Sequence, residues 1–422
     1  VVRSVATQLR FQQRIDAVPA GSPADDAGHA SLAFEAAVRA ITLLTNDGVL
    51  PLPEVTTTVA LVGALAAQPN LGDRGSSRVH PSHVVTPLDG MRARFGSAVA
   101  FDDGTDIAAA AALAAASDVA VVVVGYTHLD EGEYIGLETQ AELRQLYPPT
   151  GPDTAALLQA AFEKVSGSGQ ERAMGTGGDR RSLRLHPHDE ALLEAVCAAN
   201  PRTVAVVMSG SAVVMPWVHR AAATVMLWYP GQEGGTALAA VLAGDVAPAG
   251  RLPFTVPTDE THLPYFDRDA TAITYDRWHG YSKLQRDGVD PAFAFGSGLT
   301  YTTFTIGDVA ARADDEHPDG HLEVVARVAN TGTRPASHVV QVYAGLPGSA
   351  VERAERWLVG FTRTPVLEPG ESVHVVVHAP LQRLMVWRPA TQDWWLEPGD
   401  YRLEVSHSSA DHAATLSFTL PA

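Results

Sequence analysis

The apolar run Val119–Val124 ends at Gly125 and opens into a loop that carries Asp130, Glu131 and Glu133. A Val-rich run with no alternating polar residue reads as a strand buried on both faces, which requires a parallel sheet covered by helices on each side. In such sheets ligands gather beyond the carboxyl ends of the strands. An acid cluster in that place is where proton-transfer chemistry is expected.

The surrounding sequence fits this frame. Candidate strands at Val59–Leu65, Ala98–Phe101, Val119–Val124, Thr203–Ser209 and Thr224–Trp228 alternate with candidate helices at Leu32–Leu44, Asp106–Ser117, Asp189–Asn200 and Gly234–Leu242. That alternation predicts an α/β domain over about residues 31–256, a mostly parallel sheet sandwiched by helices. Residues 1–30 read as a linker, a basic amphipathic helix followed by the turn-rich AGSPADDAGHAS. The segment 138–178 reads as an insertion with a possible helix at Asp153–Lys164 and a Gly-rich tail. Residues 257–305, rich in Pro, Gly and aromatics, read as an irregular connection.

After about residue 306 the helical period disappears. His321–Ala329, His338–Ala344, Ser372–His378 and Tyr401–Ser406 alternate apolar and polar residues, and Asn330-Thr331-Gly332, Pro369-Gly370 and Pro398-Gly399 separate them with turns. This pattern predicts an all-β immunoglobulin-like sandwich over residues 306–422.

Composition bounds the chemistry. Of the 422 residues 46% are hydrophobic and 18% charged, which is globular, and the formal charge of -18 leaves no basic tract to neutralise nucleic-acid phosphates. No apolar run approaches the length of a membrane-spanning helix. The single Cys197 excludes an intrachain disulfide, and its apolar helical surroundings predict a buried structural thiol. The sixteen His show no HExxH spacing, and neither a GxSxG elbow nor a Walker motif occurs, so no metal or other cofactor is expected. The first residue is Val and the opening stretch resembles no signal peptide. The expectation is that Val1 is not a natural N-terminus and that localisation stays open, leaning to the cytoplasm.

Segments along nearly the whole chain resemble glycoside hydrolase family 3 enzymes of the β-glucosidase type. These are ITLLTNDGVLPL at Ile41–Leu52, LGDRGSSRVHP at Leu71–Pro81, VTPLDGM at Val85–Met91, GGDRRSLRL at Gly177–Leu185, WYPGQEGG at Trp228–Gly235, GRLPFTVP at Gly250–Pro257 and FAFGSGLTYTTF at Phe293–Phe304. Thr45 stands where a Lys is commoner. The trailing sandwich is similar to the fibronectin type III-like domain of that family. The resemblance implies a retaining exo-acting β-glycosidase whose (β/α)₈ barrel, supplying the aspartate nucleophile, lies outside these residues, in cis or in trans.

The resemblance also implies an acid/base glutamate on a loop of the second domain, preceded by Gly and followed closely by an aromatic. Glu133 in EGEYI fits, with Tyr134 beside the leaving group, although the aromatic follows Glu133 directly. Glu131 is the competing acid. Asp73 and Arg74 are candidate contacts to sugar hydroxyls, against the alternative of a structural turn with an internal ion pair. For Asp179-Arg180 the favoured role is structural, an ion pair that anchors the acid loop. Trp217 and Trp228 read as core. Trp394-Trp395 read either as a sugar-stacking surface or as the ordinary outward and inward pair of a strand. The second function, of another class, is a non-catalytic carbohydrate-binding or assembly module. A barrel encoded upstream favours the enzyme; a start codon just before Val1 favours the module. Glucose, xylose and arabinose all remain open as the sugar.

Overall fold

The computed structural model describes residues 26–54, 58–72, 79–131, 175–176, 179–180, 182–267, 270–314 and 320–421. The first part runs α1 (Asp26–Ala40), β1 (Thr42–Asn46), β2 (Val59–Val62), α2 (Pro87–Phe95), β3 (Val99–Asp102), α3 (Ile107–Ala115), β4 (Val119–Gly125) and the single turn α4 (His128–Glu131). A short hairpin of β5 (Gly175–Thr176) and β6 (Asp179–Arg180) follows, then α5 (Pro187–Ala199), β7 (Thr203–Met208), β8 (Ala223–Met226) and α6 (Gly234–Ala243).

Six of these strands form one sheet in the order β1-β8-β7-β4-β2-β3. All neighbours are parallel except β1 and β8. Alternate residues of the central strands feed two cores. Leu61, Val121, Val123 and Val206 meet α1, α2 and α6 on one face; Ala60, Val122, Val124 and Val207 meet α3 and α5 on the other. This is why β4 carries no polar residue. Local signals set the helices between. Thr86 and Asp89 close a capping box at α2, with Pro87 in its first turn. Asp106 caps α3 by accepting from Ala108 and Ala109.

Two sequence expectations shift here. The helix read over Leu32–Leu44 stops at Ala40, and Thr42–Asn46 is a strand. Ile41 and Leu43 satisfy a helical period, but pairing with β8 overrides it. Within the segment read as irregular, α7 (Gly280–Asp287) forms one helix. Residues 1–25 and the possible helix at Asp153–Lys164 lie outside the described residues.

The second part is antiparallel: β9 (Phe304–Asp314), β10 (His321–Asn330), β11 (Val339–Gly345), β12 (Trp357–Arg363), β13 (Ser372–Pro380), β14 (Met385–Arg388), β15 (Asp393–Leu396), β16 (Gly399–Ser406) and β17 (His412–Leu420). A sheet β13-β10-β9 packs on a sheet β12-β11-β16-β17 around Leu322, Val324, Val342, Tyr401 and Leu403. The hairpin β14–β15 stands apart as its own two-stranded sheet.

Polar side chains lock the two parts together. Gln341 on β11 donates to the Gly296 and His407 carbonyls at 2.9 and 2.7 Å. Arg363 donates to the Ala249 carbonyl at 3.0 Å. Arg251 sets the polarity of the seam. Its Nη2 lies 3.3 Å from Nδ1 of buried His338, and a guanidinium only donates, so Nδ1 accepts. Nε2 of His338 then carries the proton and donates to Nδ1 of His407 at 2.8 Å. Burial, helped by Arg251, His407 and Arg363, pushes the His338 imidazole well below its ordinary range, and burial lowers His407 too. Burial and Arg363 bring Arg251 itself down to about 10.

The sign of the pH effect follows. His338 is neutral when folded and takes up a proton near pH 6.5 when unfolded, so its contribution is complete above about pH 6.5 and is lost as pH falls. Well below that pH it costs about 1.4 kcal/mol of stability per pH unit. In a pH series of thermal unfolding, the midpoint should fall more steeply below pH 6.5 for this chain than for His338→Gln. Equal slopes would show that the histidine pair does not carry the effect.

Candidate functional site

The sheet order fixes where the site lies. From β2 the chain crosses one face through α2 to reach β3; from β4 it crosses the opposite face through α5 to reach β7. Adjacent strands β2 and β4 therefore send their following loops apart, which opens a crevice at their carboxyl ends. Buried Asn70, from the loop after β2, donates to the Tyr126 carbonyl of the loop after β4 at 2.8 Å and ties the two rims.

The loop after β4 is built against its neighbours. Gly125 has φ 138°, and a Cβ there would lie 2.0 Å from the Met208 carbonyl oxygen, so only glycine lets β4 and β7 close at this point. Tyr126 is fully buried, and its hydroxyl donates to the Arg184 carbonyl. Asp130 folds back to accept from the Thr127 amide at 2.9 Å and pairs with Nε2 of His186 at 3.0 Å. Burial would raise the Asp130 carboxyl, but the bonds from His186 and Thr127 outweigh it and hold it below the usual carboxylate range. The same bond to Asp130 pulls His186 upward against its own burial.

Glu131 sits at the centre. Its Oε1 receives the Ser211 hydroxyl at 2.9 Å and forms an ion pair with Nε of Arg180 at 3.1 Å; the Ser209 hydroxyl, which donates to the Ser211 carbonyl at 2.9 Å, lies 3.3 Å away. Its Oε2 receives the Gly210 amide at 2.7 Å and the Tyr229 hydroxyl at 2.5 Å. The side chains of Arg180 and Glu131 are only 4% and 9% exposed. One carboxylate thus joins the loops after β4, β7 and β8 and the hairpin β5–β6. Arg180 also lies over the Tyr126 ring, 4.1 Å from its centroid, and donates to the Ala212 carbonyl at 2.8 Å. Its Nη1 has no partner among the described residues.

Tyr229 is aimed by strain one residue earlier. Trp228 takes a left-handed backbone, φ 62°, which is costly for a bulky residue. Its indole is held by donation to the Ala40 carbonyl at 2.9 Å and by an edge contact with Phe254. Burial, then Glu131, pushes the Tyr229 hydroxyl above its ordinary range, so it stays a donor.

Two clefts flank this knot. One of about 490 Å³ is lined by Arg180, Ser182, Glu260, Tyr265 and Phe266. The other, of about 290 Å³, is lined by Asn70, Val79, His80, His83 and His128. Tyr265, Phe266, Val79 and Leu129 are exposed around them. Among the described residues no cluster of His, Cys, Asp or Glu is arranged to hold a metal ion, and no helix is long and apolar enough to cross a membrane.

Glu133, Tyr134, Asp73 and Arg74 lie outside the described residues. The flanking residues are described: Gly72 ends the segment after β2, and Glu131 ends the segment after β4. Arg180 has the anchoring role read from the sequence. Trp217 is core, whereas Trp228 is half-buried and conformationally strained. Cys197 is half-buried, with its thiol pushed up to about 11 by burial. Sequence reasoning missed Tyr229, Ser209, Ser211 and His186. Only Tyr229 carried a signal, within WYPGQEGG.

Comparison with known proteins agrees with this architecture. A family model described as the glycosyl hydrolase family 3 C-terminal domain matches residues 41–301, and one for a fibronectin type III-like domain matches 338–409. Beta-glucosidase BoGH3A of Bacteroides ovatus is 29% identical over 416 residues, covering 92% of this chain and 51% of that protein. Thermostable beta-glucosidase B of Acetivibrio thermocellus is 28% identical over 405 residues, covering 92% of this chain and 48% of that protein. The crystal structure of a Bifidobacterium adolescentis GH3 beta-glucosidase superposes with a TM-score of 0.78 at 28% identity, covering 98% of this chain and 56% of that one. The chain spans about half the length of the curated relatives it matches. With a model covering more than half its residues, this chain belongs to glycosyl hydrolase family 3, carrying the family's C-terminal α/β domain followed by a fibronectin type III-like sandwich.

Proposed function

We propose that this chain is the C-terminal part of a retaining, exo-acting β-glucosidase that removes terminal β-linked glucose from non-reducing ends. Glu133 is its general acid/base, and the nucleophile belongs to a barrel outside these residues, in cis or in trans. The observation that carries the reading is the anchoring of Glu131. Three hydrogen-bond donors and the Arg180 ion pair occupy its two oxygens, which leaves neither to protonate a departing sugar oxygen. Glu133 follows two residues later, from a fixed point at the mouth of the crevice. Tyr134 then flanks the leaving group, and Asp73 and Arg74, from the opposite rim, reach the sugar hydroxyls. The names of the relatives favour glucose over xylose or arabinose. The exposed Tyr265, Phe266 and Val79 favour a second body seated on this face. The division into 31–256, 257–305 and 306–422 belongs to the same proposal, supported by the change from parallel to antiparallel strands between Met226 and Phe304.

Retaining cleavage needs two carboxyl groups about 5–5.5 Å apart, one attacking the anomeric carbon and one giving its proton to the leaving oxygen before taking another from water. No cofactor enters such a reaction.

Residues 1–422 alone should show no measurable hydrolysis of aryl β-glucosides. Turnover by the purified chain, lost on Glu133→Gln, would place the nucleophile within it.

The two glutamates separate in the barrel-containing enzyme. Glu133→Ala should lower cleavage of unactivated glucosides by about 10²–10⁴-fold, the usual worth of general acid–base help. It should spare the first step on activated aryl glucosides, and azide should restore turnover and yield the β-glucosyl azide. Glu131→Ala should instead lower stability by about 3–5 kcal/mol, because Arg180 is left buried without its counter-ion. That loss reads out as a lower thermal midpoint, without azide rescue. Azide rescue of the Glu131 variant alone would reverse the assignment.

A further inference from the structure

The hairpin β14–β15 carries a feature with no part in the crevice. Trp387 and Trp394 are direct cross-strand partners on one face, 48% and 64% exposed. Their rings meet edge to face, with centroids 5.6 Å apart and planes 65° apart. Neither indole N–H has an acceptor among the described residues. The other face of the hairpin is tied down. Arg388 grips Asp393 through two hydrogen bonds, of 3.0 and 2.5 Å, and lies over the Trp395 ring at 5.1 Å. On the tryptophan face itself, at the base of the hairpin, Leu396 packs on the sandwich core. The sequence pair Trp394-Trp395 is therefore split as a strand demands. What the sequence did not reveal is that Trp387 doubles the outward half.

We propose that Trp387 and Trp394 form a binding platform for a β-linked glucan chain, separate from the catalytic crevice. An indole offers a flat apolar face to the C–H side of a pyranose ring and an N–H to its hydroxyls. The hairpin is ordered before any ligand arrives, so little side-chain freedom is lost on binding. Competing occupants fit less well. The net charge of -18 disfavours nucleic acid and anionic lipid. Two side chains make a small patch for a stable protein interface, which buries about 800 Å² per partner. The angle between the rings narrows the ligand further. Two coplanar indoles would suit the flat face of crystalline cellulose; an edge-to-face pair suits a single twisted chain in solution.

The test is affinity electrophoresis of the 422-residue chain in gels containing hydroxyethylcellulose or mixed-linkage β-glucan, with depletion by crystalline cellulose measured alongside. It reads binding, not turnover, so it stands or falls apart from the acid/base assignment. The soluble polymers should retard the chain, and crystalline cellulose should leave it in solution. Trp394→Ala and Trp387→Ala should each weaken retardation at least about tenfold, the effect of roughly 1.4 kcal/mol. Trp394→Phe should keep most of it, with an unchanged thermal midpoint. Absence of retardation, equal retardation of the Ala variants, or stronger capture by crystalline cellulose would overturn the proposal. So would sedimentation showing that the indoles hold two copies of the chain together.

Discussion

The Arg180–Glu131 pair is the constraint on which the working end of the α/β domain depends. Parallel strands deliver their following loops to one rim, but nothing in the sheet fixes how those loops lie relative to one another. A buried carboxylate with three donors and an ion pair does so, because its partners come from three different places: the hairpin β5–β6, the turn after β7, and the tyrosine after β8. Removing such a charge from water is costly, and only a full set of partners offsets the loss. The same completeness separates Glu131 from the neighbour proposed to do chemistry. A group that must hand over a proton needs an oxygen left open.

Most of the sheet was legible because its residues obey one rule. Where a strand is buried on both faces the sequence is apolar without interruption and rich in β-branched Val, as in Val119–Val124 and Val204–Val207, whereas the equally apolar helix Ile107–Ala115 is built of Ala. β1 escaped for the opposite reason. Ile41, Leu43 and Leu44 continue the apolar spacing of the preceding helix, and only antiparallel pairing with β8 makes them a strand. In the sandwich, alternating strands such as β10 were clear, whereas β12 and the hairpin β14–β15 mix exposed and half-buried residues and gave no clean period.

The site was legible as a loop rather than as a network. DEGEY and GGDR announce acids and an arginine, but their joining depends on strand order, which the sequence does not state. Ser209, Ser211 and His186 are ordinary residues made functional by what the fold brings opposite them. Nothing local distinguishes them from other loop serines and histidines. The seam between the two parts shows the same limit: Arg251, His338 and His407 are far apart in the chain, and their one-way line of hydrogen bonds is a product of packing alone.

The Glu131–Arg180 contact also closes the base of the long stretch of chain between those two positions. Loop closure becomes only slightly more costly as a loop grows, about 0.6 kcal/mol for each doubling of its length. With the neck pinned by an ion pair, residues can be gained or lost beyond it while the strands, turns and tyrosine below keep their register. The chain between those two positions is thus free to diversify in length and composition, and the sheet that carries it need not change.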